Sequence, residues 1–173
     1  LTEGSNNLLL GHDAGRTDSP GGAISTADNT IVLGDEHIAN AHIQVDWTVA
    51  SDKRDKTDVE PSKIGLAFIN KLEPVTYHWD KRSLYDDNTP DGTHKEDQLD
   101  IGLLAQDVSA LEAEYGYNSN DKTNLIASIS GDGQHYGLQY SKFVPALIKA
   151  IQELSAQVEE LKEQPKCKCN GGE

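Results

Sequence analysis

The sequence predicts an α+β protein, on three observations. A degenerate repeat of short strand signals occupies residues 1–50, an irregular mixture of short helices and strands follows, and one long heptad-patterned helix closes the chain. The first copy of the repeat is Asn6-Asn7-Leu8-Leu9-Leu10-Gly11 and the second is Asn29-Thr30-Ile31-Val32-Leu33-Gly34, 23 residues later. Each opens on Asn and closes on Gly around a leucine or β-branched run, so each reads as a short strand with its turns. Asp18-Ser19-Pro20-Gly21-Gly22 is the loop between them. A fixed period suggests stacked rungs, and two rungs bury too little to stand alone, so further rungs or partner chains are expected.

Past the repeat, Ile43-Gln44-Val45-Asp46-Trp47-Thr48-Val49-Ala50 alternates apolar and polar residues up to a boundary at Ser51. Ile64, Leu66-Ala67-Phe68-Ile69 and Leu72 predict a short amphipathic helix that Pro74 ends. Val75-Thr76-Tyr77-His78-Trp79 reads as a strand, residues 81–99 as a polar surface loop, and Ile101-Gly102-Leu103-Leu104-Ala105 as a buried strand-like run. A helix is expected from Gln106 to about Glu114, a turn at Gly131-Asp132-Gly133, and a strand over Tyr136-Gly137-Leu138-Gln139-Tyr140.

Ser141 is the expected N-cap of the last helix, with Pro145 inside its first turn. Val144, Ile151 and Val158 then fall at heptad position a, and Leu147, Leu154 and Leu161 at position d. This regularity favours a coiled coil over a helix lying on its own domain. Pro165 is expected to stop it. The implied division is 1–50 for the rung region, 51–140 for the mixed core, 141–164 for the helix and 165–173 for a flexible tail.

Composition narrows the function. A net charge of −14 over 173 residues argues against nucleic acid and against an anionic membrane surface. No apolar run is long enough to span a bilayer. Methionine is absent even at position 1, so the chain reads as a piece of something longer. Cys167 and Cys169, one residue apart, have poor spacing for zinc and read as free thiols on a frayed tail, with disulfides between subunits as the lesser reading. No metal or cofactor is expected.

The chemistry-bearing motif is Ser51-Asp52-Lys53-Arg54-Asp55-Lys56. A serine with a lysine five residues on is a minimal nucleophile and base for breaking an acyl bond. The lysine must be neutral to act, which burial or neighbouring positive charge favours; Lys53 and Arg54 push that way, whereas Asp52 and Asp55 oppose it. Its place at a composition boundary suggests that the bond cut is its own. The acid pairs Asp86-Asp87 and Glu96-Asp97 could be invoked for hydrolysis of an external polysaccharide, but solvated loops are the better reading.

In order along the chain stand this hexapeptide, then Leu72-Glu73-Pro74-Val75-Thr76-Tyr77-His78-Trp79, Gly102-Leu103-Leu104-Ala105-Gln106-Asp107-Val108, Tyr136-Gly137-Leu138-Gln139-Tyr140-Ser141-Lys142 and an Ala-Ile-Gln-Glu-Leu helix at 150–154. The series resembles the C-terminal intramolecular chaperone of phage tail spikes and tail fibres, the endosialidase-type self-cleaving domain classed as peptidase S74. The resemblance covers residues 51–164, roughly two thirds of the chain.

It implies a homotrimer that helps the upstream β-stranded fibre fold in register and then releases itself. Ser51 matches the nucleophile and Lys56 the general base, with cleavage among Ala50, Ser51 and Asp52. Residues 1–50 then look like the end of a trimeric β-helix or prism. The mature fibre belongs to the virion and contacts a host-surface receptor, while the chaperone acts in the host cytoplasm during assembly. Several relatives carry a histidine or other basic residue where Asp100 stands here, so no assisting histidine is available at that place, and Asp100, His78 and, in principle, His94 are the assisting candidates. Branched residues at a with leucine at d favour two strands by the simple rule, whereas the resemblance implies three. A non-cleaving structural or receptor-binding fibre tip is the alternative.

Overall fold

The computed structural model describes residues 3–164. Tail residues Pro165, Cys167 and Cys169, and the expectations attached to them, lie outside the described residues. Strands β1 (Leu8–Leu10) and β2 (Ile31–Leu33) pair in parallel with Leu8 opposite Ile31, Leu9 opposite Val32 and Leu10 opposite Leu33. The repeat offset is therefore also the pairing register. Side chains keep the same offset: Asn6 Nδ2 donates to Asn29 Oδ1 at 2.7 Å, Thr30 N donates to Asn7 Oδ1 at 2.9 Å, and Ser5 Oγ donates to Asp28 Oδ1 at 2.9 Å. Asn6 and Asn29 both adopt positive φ, a conformation Asn tolerates better than most residues, which explains why Asn opens each copy. Val32 and Ile24 are buried, whereas Leu8, Leu10, Ile31 and Leu33 face outward.

Residues 41–50 belong to no strand, and Ile43, Val45, Trp47 and Val49 are 53–78% exposed. Beyond them lie α1 (Leu66–Ile69), β3 (Val75–His78), β4 (Leu99–Gly102), α2 (Ala105–Glu114), β5 (Ala127–Ile129), β6 (Tyr136–Leu138) and α3 (Phe143–Glu163). β3 pairs antiparallel with β4, and β5 with β6. One apolar cluster joins the three helices and the segment entering β5: Ile64, Phe68, Val108, Leu111, Ile126, Phe143 and Ala146. Phe68 is wholly buried and meets Tyr115 edge-on at 5.4 Å.

Three sequence expectations need correction. The helix expected to reach Leu72 is a single turn, because residues 70–72 close as tight turns, Lys71 N donating to Phe68 O at 3.0 Å and Leu72 N to Ile69 O at 3.2 Å. The run from Ile101 to Ala105 is not a buried strand. Ile101 is 71% and Leu104 49% exposed, since a two-stranded sheet leaves one face open, and Ala105 already begins α2. Ser141 is not an N-cap; it lies within a 3-10 turn, Tyr140–Lys142, that runs directly into α3.

The last helix presents two faces. Phe143, Ala146 and Ala150 are buried against the core, and small alanines let α1 approach closely. The stripe of Val144, Leu147, Ile151, Leu154, Val158 and Leu161 is instead 41–65% exposed. At about 100° per residue the centres of the two faces lie roughly 75–80° apart around the axis. The stripe is therefore not what holds the helix to its own domain. Glu153 fixes the packing angle: its Oε2 accepts from Leu66 N at 2.7 Å, and a Cβ on Gly65 would stand 2.5 Å from that oxygen. Lys149 Nζ donates to Ser62 O beside it.

Candidate active site

A 3-10 turn over Lys53–Asp55 forms the site. Asp52 initiates it by accepting from Arg54 N at 2.9 Å, and Lys56 N closes it on Lys53 O at 3.3 Å. The turn folds the chain back far enough for Lys56 Nζ to donate to Ser51 Oγ at 2.6 Å. The two residues singled out from the hexapeptide are thus in direct contact, and both are exposed in the single chain.

The remaining charges are arranged differently from the sequence expectation. Arg54 does not push on Lys56; it turns back to Asp52, donating from Nη2 to Oδ2 at 2.6 Å and from Nε to Oδ1 at 3.1 Å. The Arg54 side chain, then its backbone N–H, hold the Asp52 carboxyl below the usual aspartate range, and Asp52 raises Arg54 in return. The pair neutralises itself.

None of the assisting candidates hydrogen-bonds to Ser51 or Lys56 among the described residues, His94 lying against Tyr85. His78 Nδ1 lies 3.0 Å from Glu96 O and 3.1 Å from Gln98 O. Asp100 stands opposite Tyr77 on β4 and accepts from Trp79 Nε1 at 3.3 Å. Both residues tie the β3–β4 pair together. One member of each acid pair has a local partner: Glu96 meets Lys81 at 3.0 Å, and Asp87 accepts from Thr89 N at 2.9 Å.

Residues 51–117 match the family model described as the chaperone of endosialidase, Peptidase_S74. The matched segment, 67 of the 173 residues, is similar to endosialidase-type chaperone domains. It opens on Ser51 itself. No curated protein and no solved structure gives a match. Among the described residues no helix is long and apolar enough to cross a membrane.

The physical unit around this endosialidase-type chaperone segment runs past residue 117. Glu112 on α2 is 1% exposed, and its carboxylate accepts from Leu125 N at 3.0 Å, Ile126 N at 2.6 Å and Ala127 N at 3.1 Å. Tyr140 OH accepts from Leu103 N at 3.1 Å and lies 2.6 Å from where a Gly102 Cβ would be, so a side chain there would have to displace the hydroxyl. The sequence reading missed Glu112 and Tyr140 in these roles. A carboxylate that receives backbone donors leaves no trace in periodicity, although the glycine opening Gly102-Leu103-Leu104 is the mark of a close approach.

Proposed function

We propose that this chain joins the end of a β-stranded fibre to a C-terminal intramolecular chaperone that assembles three chains and then cuts itself off at Ser51. The 2.6 Å contact between Lys56 Nζ and Ser51 Oγ, at the residue where the family match begins, carries the reading. In this mechanism neutral Lys56 takes the Ser51 hydroxyl proton as Oγ attacks the Ala50 carbonyl. The Oγ–C bond forms, the C–N bond breaks, and the amide nitrogen receives the proton. Water then hydrolyses the ester, leaving an Ala50 carboxylate and a Ser51 amine. The reaction is intramolecular, so positioning offsets a weak nucleophile.

Exposure of both groups in the single chain gives the reaction its timing. Water favours the charged amine, and removal from water favours the neutral one. A neighbouring copy that covers the turn supplies that desolvation, so cutting follows assembly. The exposed stripe on α3 supports self-association as a coiled coil. The in-register rungs and their Asn ladder support a β-helix or prism upstream, whose tip engages a host-surface receptor on a phage tail fibre. Such strands pair slowly across chains, and a C-terminal trimeriser raises their effective concentration.

Intact-mass measurement of the expressed chain tests the reading. Two fragments divided between Ala50 and Ser51 are expected, and a single uncut mass for Ser51→Ala, Lys56→Ala and Lys56→Arg; Arg keeps the charge and cannot act as base. An uncut native chain, or a cut Ser51→Ala chain, overturns it. The exposure of the Ser51–Lys56 pair also favours a second reading, a fibre tip with a chaperone-like end that does not cut, and an uncut native chain is its signature.

A further inference from the structure

We infer that His12, Asp35, Glu36 and His37 form a divalent-cation site, of the zinc or nickel class, that clips one rung to the next. Asp35 is buried, and Glu36 has a side chain only 18% exposed. Buried carboxylates need a positive partner, yet among the described residues no lysine or arginine meets either carboxylate. Lys81 donates to the Glu36 carbonyl at 2.7 Å and pairs with Glu96 instead.

Two imidazoles approach these carboxylates. His12 Nδ1 is 3.3 Å from Asp35 Oδ2, and His37 Nδ1 is 3.6 Å from the same oxygen and 3.3 Å from Glu36 Oε1. Ligand atoms of Asp35, Glu36 and His37 all lie within 4.8 Å of one another. A tetrahedral zinc with bonds of about 2.0–2.2 Å sets its ligand atoms about 3.3–3.6 Å apart, which is the spacing of these pairs. The other Asp35 oxygen already accepts from His37 N at 3.0 Å, which aims Oδ2 at the imidazoles. His12 also lies 3.6 Å from Asp13, whose other oxygen is taken by Arg16 at 3.3 Å.

The two imidazole side chains are 85% and 67% exposed, so they can turn to close around an ion that the fixed carboxylates seat. Imidazole with carboxylate, and no thiolate, selects zinc, nickel or cobalt over calcium or magnesium. His12 follows Gly11 and Asp35 follows Gly34, so the two occupy the same place in successive copies of the repeat. An ion held between them ties those copies together where their strands end.

Zinc titration of the untagged full-length chain carrying Cys167→Ser and Cys169→Ser, which removes the competing thiols, tests the site. One ion per chain is expected, retained through dialysis. His12→Ala and His37→Ala should each lower zinc affinity by more than the roughly 10–100-fold that an outer-shell partner is worth. Cobalt(II) should give the visible bands of a tetrahedral nitrogen–oxygen site in the unmutated rung, a readout that requires no variant to fold. Simple histidine–aspartate ion pairing predicts no retained zinc and no cobalt bands. Either of those results, or unchanged zinc affinity in both histidine variants, overturns the proposal.

Discussion

Replacing Glu112 should uncouple the endosialidase-type chaperone segment from the rest of its core. Its carboxylate accepts three backbone N–H groups, and Ile126 and Ala127, which supply two of them, are each 1% exposed. A hydrogen bond to a charged acceptor contributes about 1.5–3 kcal/mol, and each stranded buried donor costs about 1–3 kcal/mol. These figures do not simply add, because the segment 125–127 can shift toward water once released. Two buried donors stranded at that cost, moderated by such relaxation, put Glu112→Ala at about 3–5 kcal/mol.

Glu112→Gln should cost less, about 1.5–3 kcal/mol. Its carbonyl can keep the Leu125 and Ile126 donors, while its amide N–H₂ faces the N–H of Ala127. Urea unfolding followed by circular dichroism, at one fixed chain concentration, reads the difference. With a slope near 2 kcal/mol per molar urea, the Ala midpoint should fall by about 1.5–2.5 M and the Gln midpoint by about half as much. An Ala midpoint within about 0.5 M of the native chain, or a Gln variant less stable than Ala, would refute the assignment.

Three further outcomes are expected. Ile151→Asp and Leu154→Asp, on the exposed stripe, should lower the mass in solution to that of the monomer without changing the domain's spectrum, whereas Ala150→Leu, on the buried face, should destabilise the fold by about 1–3 kcal/mol; light scattering and thermal melts separate them. Gly102→Ala should cost about 1–3 kcal/mol, and pairing it with Tyr140→Phe should recover part of the loss, since the colliding atom is the Tyr140 hydroxyl; a double variant no better than the single one contradicts that contact. The Asp52 carboxyl is held below its unfolded value of 3.8, so its cap on the turn is fully present above that pH and is lost as pH falls through the lower folded value; amide exchange at Arg54 should quicken only in that acid window.

Short-range features were legible in the sequence, whereas long-range polar ones were not. The Asn-to-Gly repeat announced its own register, because the same offset relates the motifs and the paired strands. Ser51 and Lys56 were readable as a pair because one turn of chain separates them. The heptad stripe of α3 was readable from Val144 to Leu161, but the face that grips α1 was not, because Ala146 and Ala150 carry no hydrophobic signature of their own. Arg54 was expected to act on Lys56 and closes on Asp52 instead, a choice between neighbours that charge counting cannot make. Glu112 and Glu153 were missed for a similar reason: each receives backbone donors from a distant segment, and that partnership has no period.

Among the described residues, 39–51 take part in no backbone hydrogen bond. The chain there is a hinge strung between two folded bodies. A break anywhere along it severs covalent continuity and unravels nothing on either side. Far-ultraviolet spectra would not register the event, while sizing and mass would. Across the seam, one hydrogen bond from Lys81 to Glu36 and the seating of His135 against Gly22 remain. Once the string is cut, contacts that cost no translational entropy within one molecule become contacts between two, and dilution alone can part them.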